Sequence, residues 1–233
     1  MHHNALCTEL HNLGVHNVLI TWIGSFLKSR SQSVKICNVI SGHVVPRGGI
    51  PQGTKLAPLL FAVLVNNLAN EWKIRAKYVD DLSVVEIIPR CSISVLPFIA
   101  RDISSYASQH GMRLNPVKCK EMFIDFLQYI PHHHPPLQIS GSVINRVTTY
   151  KLLGVYISEK LCWNTHCEYI VQRARKRLYA LRFLKKSGVV EVDLILVYSS
   201  LIRSVLEYAS PVWANLPEYL SLLVESVQKK PYI

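Results

Sequence analysis

Asp80 and Asp81 stand side by side in the run AKYVDDLSVV (76–85), where Ala76, Val79, Leu82, Val84 and Val85 favour burial and the two carboxylates resist it. A shared cation relieves such a pair. Mg²⁺ prefers carboxylate oxygens and keeps room for waters and phosphates. Two such ions roughly 4 Å apart activate an attacking hydroxyl and stabilise a leaving pyrophosphate. The other reading is an ordinary turn, in which Asp is common. The pair alone leaves both open.

Three further stretches carry chemistry. Gln52 lies 28 residues before Asp80 in GGIPQGTKLAPLL (48–60), and Gly48, Gly49 and Gly53 let the backbone approach a ligand closely. Lys118, in LNPVKCK (114–120), reads either as a solvated turn lysine or as a cation offsetting phosphate charge. Residues 171–186 hold Arg173, Arg175, Lys176, Arg177, Arg182, Lys185 and Lys186 and no acidic residue, with Leu178, Leu181 and Leu184 on an apolar side. A basic amphipathic helix suits a phosphate backbone, and it also suits plain solvation of a helix face.

The whole chain agrees in sign. Its 233 residues carry 26 Lys and Arg against 15 Asp and Glu, a net +11, which favours a polyanionic partner such as nucleic acid. An apolar fraction of 49% excludes a disordered chain. No basic and then apolar leader follows Met1, and the longest apolar run, 56–65, is shorter than the roughly 20 residues a membrane span requires. The expectation is a protein of the cytoplasm or nucleus, neither secreted nor membrane-spanning. The six cysteines lack a CxxC spacing and read as buried reduced thiols. His132, His133 and His134, between prolines, read as a solvated loop, and Cys162, His166 and Cys167 as packing groups near a helix start.

The elements that must position these groups follow from periodicity. Residues 4–29 read as two short helices around Gly14. Residues 33–50 alternate and are expected to turn at Ser41-Gly42. The stretch 55–72 is apolar enough for one buried helix with Pro58 in its first turn. Alternation on both sides of the aspartates predicts a hairpin with Asp80 and Asp81 at or near its tip. A helix over about 94–110 ends at Gly111, and EMFIDFL (121–127) and YKLLGVYIS (150–158) each read as a strand. Helices are expected over 166–186, 190–208 and 216–229. The fold class is α+β, with an all-α part beginning near residue 160.

Taken in this order, IPQG (50–53), YVDD (78–81), LNPVKCK and LLGVYIS (152–158) resemble the reverse transcriptase domain of non-LTR, LINE-like retrotransposons, and the likeness extends over almost the whole chain. It implies a polymerase-type palm over 1–158 and a helical thumb and following region over 159–233. It implies that Pro51, Gln52 and Gly53 position the incoming deoxynucleotide and template, and that Tyr78 packs near the primer end. Asp80 becomes the metal-binding carboxylate with Asp81 its partner, Lys118 the proton donor to pyrophosphate, and LLGVYIS the primer grip. The implied cofactor is a pair of Mg²⁺ ions. The implied partners are an RNA template and a DNA primer, with no membrane and no particular oligomeric state.

In this family another metal-binding aspartate lies on a palm strand just ahead of a segment similar to HHNALCTELHNLG (2–14). The resemblance therefore implies an N-terminally truncated domain, inactive or nearly so as written, because two metals need carboxylates from two strands. Glu9, within the first helical pattern, is not recruited as a substitute. The alternative function is a non-catalytic nucleic-acid-binding remnant that uses the basic helix.

Overall fold

A computed structural model of the chain describes residues 2–28, 30–46, 48–89, 92–126 and 134–229. His132, His133 and Cys91 lie outside them. The architecture is α+β, helices alternating with small two-stranded sheets, among them four antiparallel hairpins in the described residues. By contacts the chain forms two compact units, Met1–Cys119 with His133–Asn145, and Lys120–His132 with Arg146–Ile233.

In the first unit, α1 (His3–Asn12) and α2 (Asn17–Leu27) pack with α3 (Leu56–Val65) around Leu6, Leu10, Ile23, Leu27, Leu60 and Leu64. Glu9 is buried here. It accepts from Asn67 Nδ2 at 2.9 Å and pairs with His110 Nε2 at 3.0 Å, while His110 Nδ1 lies 2.9 Å from the Tyr106 carbonyl. The acid thus serves the core, stitching α1 to the end of α4 (Leu96–Gln109). Tyr106 stacks on His110 and donates to the Leu64 carbonyl at 3.0 Å, and burial, with the Glu9 charge beside it, pushes its hydroxyl up to about 12.

The expected turn at Ser41-Gly42 is displaced. Strands β1 (Lys35–Ile36) and β2 (Val39–Ile40) turn instead at Cys37–Asn38, with Cys37 at φ +51°. Ser41 belongs to the ladder, since its amide and its hydroxyl both bond Val34. Helix α3 covers the apolar run 56–65 and is shorter than the helix expected over 55–72. The chain leaves the helix after Val65, and Ala69 takes a left-handed conformation. Just ahead of the helix start, the Thr54 hydroxyl accepts from Ala57 N at 3.2 Å.

Strands β3 (Arg75–Tyr78) and β4 (Asp81–Val84) form the hairpin expected around the aspartates. Leu82 and Val84 face inward onto Leu68, Ala69, Ile99 and Ile103. Glu86, just beyond β4, caps α4 from a distance by accepting from Val95 N at 2.8 Å and Leu96 N at 3.1 Å. At its other end α4 stops before Gly111, as the spacing predicts.

In the second unit only β5 (Lys120–Glu121) of the EMFIDFL stretch is extended, and Leu127 lies outside the described residues. Past β6 (Gln138–Ile139) and β7 (Ser142–Val143), which belong to the first unit, and β8 (Asn145–Arg146) at the boundary, the run expected as a single strand is a hairpin of β9 (Thr149–Leu152) and β10 (Val155–Ser158). Its turn is Leu153–Gly154, both at positive φ, which glycine at the second position permits. The Tyr208 hydroxyl donates to the Leu153 carbonyl at 2.8 Å, and its ring lies where a side chain on Gly154 would begin, 3.0 Å away.

The long helix α5 (Asn164–Lys186) buries Cys167, Ile170, Val171, Ala174, Leu178 and Leu181 on one stripe. Against it pack α6 (Glu191–Val197), a π-helical turn (Tyr198–Arg203), α7 (Ser204–Leu206), α8 (Ser210–Trp213) and α9 (Glu218–Gln228). His166 is fully buried among Trp163 and Trp213. It accepts from Tyr156 N at 3.4 Å through Nδ1, and its Nε2 has no hydrogen-bond partner among the described residues. The thiols depart from expectation. Among the described cysteines only Cys167 is buried, which with Glu168 nearby pushes it up to about 11, while Cys37 and Cys162 are exposed. No described helix is long and apolar enough to cross a membrane.

Candidate active site

The YVDD run closes β3 onto β4 with a two-residue turn, Val79–Asp80, so that Tyr78 and Asp81 form the last rung. Val79 sits at φ +53°, a left-handed conformation that a β-branched residue rarely adopts. The strain concentrates at the carboxylate-bearing bend and persists because the strands on both sides are held. Asp80 and Asp81 are exposed, and Tyr78 and Asp81 share the outward face with Ala76 and Ser83. The apolar residues around the pair divide accordingly: Leu82 and Val84 are half-buried, whereas Ala76, Val79 and Val85 are exposed.

What holds the hairpin is a residue that sequence reasoning passed over. Lys77 projects from the inward face, opposite Leu82, and its Nζ donates to the carbonyls of Val65 at 3.1 Å, Asn66 at 2.7 Å and Leu68 at 2.8 Å. These carbonyls lie at the end of α3 and in the turn that follows it, where a cation is favoured, and that of Val65 also accepts from Leu68 N at 3.1 Å. Burial, and then the Arg75 charge, lowers the Lys77 pKa from its ordinary value. Arg75 adds bonds to the Trp72 carbonyl and the Asn70 side chain. A cation inside an otherwise alternating strand, twelve residues after an apolar helix, was the available signal.

The other segments are separately built turns in the same unit. Pro51, Gln52 and Gly53 precede α3, with Gly53 at φ +85° and the Thr54 hydroxyl closing on the Pro51 carbonyl at 3.1 Å; Gln52 is exposed. Gly49 is at φ +95°, and its carbonyl lies 2.8 Å from His3 Nε2. Lys118 lies in an Asn115 turn: Val117 N donates to the Asn115 side chain at 3.1 Å, and Lys118 N to its carbonyl at 3.1 Å. The Lys118 side chain is exposed, and no ion pair joins it to Asp80 or Asp81 among the described residues.

The donor chemistry of the acidic bend is partial. Among the described residues no three His, Cys, Asp or Glu side chains are grouped to hold a metal ion. Asp80 and Asp81 supply two carboxylates to a cation that takes about six oxygen ligands. They do not by themselves fit a closed divalent site.

In the second unit Arg173, Arg175, Lys176, Arg182, Lys185 and Lys186 are exposed along α5, outside its apolar stripe. Arg177 differs from the rest, being half-buried and donating to the Leu201 carbonyl in the π-helical turn. That contact turns it toward its own fold and away from the exposed set.

Residues 1–157 match the family described as reverse transcriptase (RNA-dependent DNA polymerase), and the chain belongs to that family. Its curated relatives place it among the reverse transcriptases of non-LTR, LINE-like elements. It is 24% identical over 202 residues to the probable RNA-directed DNA polymerase from transposon BS of Drosophila melanogaster, covering 81% of this chain and 22% of that protein. It is 24% identical over 178 residues to the RNA-directed DNA polymerase from mobile element jockey of Drosophila funebris, covering 71% and 19%. It is 23% identical over 177 residues to the Pol polyprotein from the type-1 retrotransposable element R2 of Popillia japonica, covering 67% and 28%. The chain thus spans about a quarter or less of the length of these relatives. No solved structure matches it.

Proposed function

We propose that the chain is the part of a retrotransposon RNA-directed DNA polymerase that carries the palm, within residues 1–158, and the thumb, within 159–233, and that it works on an RNA template, a DNA primer and deoxynucleotides. The observation that carries this reading is the YVDD bend itself: two exposed carboxylates at a strained two-residue turn, bolted by Lys77 to the end of α3. A bend kept strained and rigid suits a site that must hold oxygen ligands in fixed geometry.

In this reading Asp80 and Asp81 contribute part of the oxygen set for Mg²⁺, the ion that would neutralise charge on the transferring phosphate. Pro51, Gln52 and Gly53 lie against nucleotide and template, Tyr78 lies near the primer end, and Lys118 faces the leaving pyrophosphate, where a cation offsets developing charge. The exposed cations of α5 track the duplex backbone.

The incomplete donor set and the basic face of α5 together favour a second reading for this chain acting alone: it binds primed RNA without extending it. Mg²⁺-dependent extension of a primed RNA by the 233-residue chain, run beside a binding assay on the same duplex, tests both. Binding without extension is the expected result. Robust extension lost in Asp80→Asn would overturn the inactivity of the isolated chain and uphold the site. Absence of binding would overturn both readings.

A further inference from the structure

The hairpin β9–β10 and helix α5 meet in a cluster outside the acidic bend. Lys151 stands directly across the strands from Tyr156, and Tyr169 and Arg173 lie one turn apart on α5. Lys151 Nζ donates to the Tyr169 hydroxyl at 2.7 Å, and Arg173 Nη1 donates to the same oxygen at 3.2 Å. The ammonium sits 4.4 Å from the Tyr169 ring centroid and 5.5 Å from that of Tyr156, and the two rings meet edge to face at 5.0 Å. The Arg173 guanidinium lies 5.5 Å from the Tyr169 ring.

Two cations therefore converge on one phenol oxygen, and no carboxylate pairs with either among the described residues. Holding like charges this close costs free energy that an entering anion would recover. Both cations keep donors in reserve, since an ammonium has three N–H groups and a guanidinium five. The hydrogen bond from Lys151, before any other cause, lowers the Tyr169 pKa, and the Arg173 and Lys151 charges act in the same direction against burial. Lys151 and Arg173 are exposed, so the convergence opens to solvent.

We propose that Lys151, Tyr169 and Arg173 form a preassembled site for one backbone phosphate of a nucleic acid, walled by the Tyr156 and Tyr169 rings. The site deepens the nucleic-acid reading of α5 and rests on it. The phenol acts as a positioning residue, holding both cations at one point. This differs from a diffuse basic face, in which each cation contributes independently and equally.

The test is fluorescence anisotropy of the full chain with a fluorescein-labelled DNA primer annealed to RNA, without divalent metal, over a range of KCl concentrations. Lys151→Ala and Arg173→Ala are each expected to weaken binding severalfold, with the double variant close to the single ones. The double variant is expected to lower the slope of log affinity against log salt by about one, the mark of one phosphate, rather than by about two. Tyr169→Phe keeps the charge, so it weakens binding while leaving the slope unchanged. Arg182→Ala, on the same helix outside the cluster, has the smaller effect. Inorganic phosphate at matched ionic strength is expected to compete no better than chloride, since the site takes a backbone phosphate and not the free ion; strong competition would assign the site to free phosphate and overturn the proposal. Additive losses equal to that of Arg182→Ala would also overturn the site while leaving the basic-helix reading standing. No binding by the unaltered chain would remove both.

Discussion

Tyr78 and Asp81 face each other as the last rung of the β3–β4 ladder, and everything beyond that rung is Val79 and Asp80. The carboxylate pair is thereby split between a turn position and a strand position one residue apart, so that only Asp81 has its direction set by the pleat.

The turn is expected to be a point of stored strain. Replacing Val79 by glycine removes the Cβ penalty at φ +53°, about 1–2 kcal/mol, against up to about 1 kcal/mol of added chain entropy. Val79→Gly should therefore leave stability unchanged or raise it by up to about 2 kcal/mol in urea unfolding. A clear loss of stability would mean the Val79 side chain supports the hairpin.

Lys77→Met should cost about 1–3 kcal/mol, because the carbonyls of Val65, Asn66 and Leu68 lose a charged donor while the stem volume is kept. Hydrogen exchange should quicken first at the β3–β4 amides and the last turn of α3. Unchanged exchange there would show that water replaces the ammonium without cost.

How much of this was legible follows residue by residue. Alternation around Asp80 and Asp81 marked a hairpin because the side-chain period of a strand is two and one face is covered by Ile99 and Ile103. Gly111 marked the end of α4 by its own conformational freedom. Cys37 and Val79 carried no such mark, since neither residue type favours positive φ and tertiary pairing imposed it. Lys77 was passed over because its partners are backbone carbonyls, which leave no trace in side-chain identity, so its only mark in the sequence was a cation within an alternating strand. Arg177 looked like its neighbours in sequence, and only the π-helical turn packed beside it distinguishes it. Tyr169 and Arg173 stood at helical spacing, yet Lys151 joins them only through the fold.

The Glu9–His110 pair predicts strong coupling. Glu9→Ala should destabilise by about 1–3 kcal/mol, because the buried His110 ring and the Asn67 amide lose their carboxylate acceptor. The loss should be smaller when His110→Ala is already present. Additive losses in the double-mutant cycle would mean that the two groups are stabilised by other contacts.

His166 predicts an acid-sensitive second unit. Burial lowers its pKa below the ordinary 6.5, so the native state resists a proton that the unfolded chain accepts. Its contribution is fully present above about pH 6.5 and is lost as pH falls from there toward the lowered native value. His166→Phe, which also removes the unpartnered Nε2, should flatten that part of the stability profile measured by urea unfolding between pH 7.5 and 5. The same slope in the variant would place the sensitivity elsewhere.

The claim that the acidic bend takes a divalent cation is tested most directly by paramagnetic broadening in a ¹H–¹⁵N spectrum. Low Mn²⁺ added to the 233-residue chain should broaden the amides of Tyr78 to Leu82 before others, with weak affinity because two carboxylates leave the ion largely hydrated. Asp80→Asn combined with Asp81→Asn should abolish that selectivity. Broadening that begins elsewhere, or that survives the double substitution unchanged, would contradict the account.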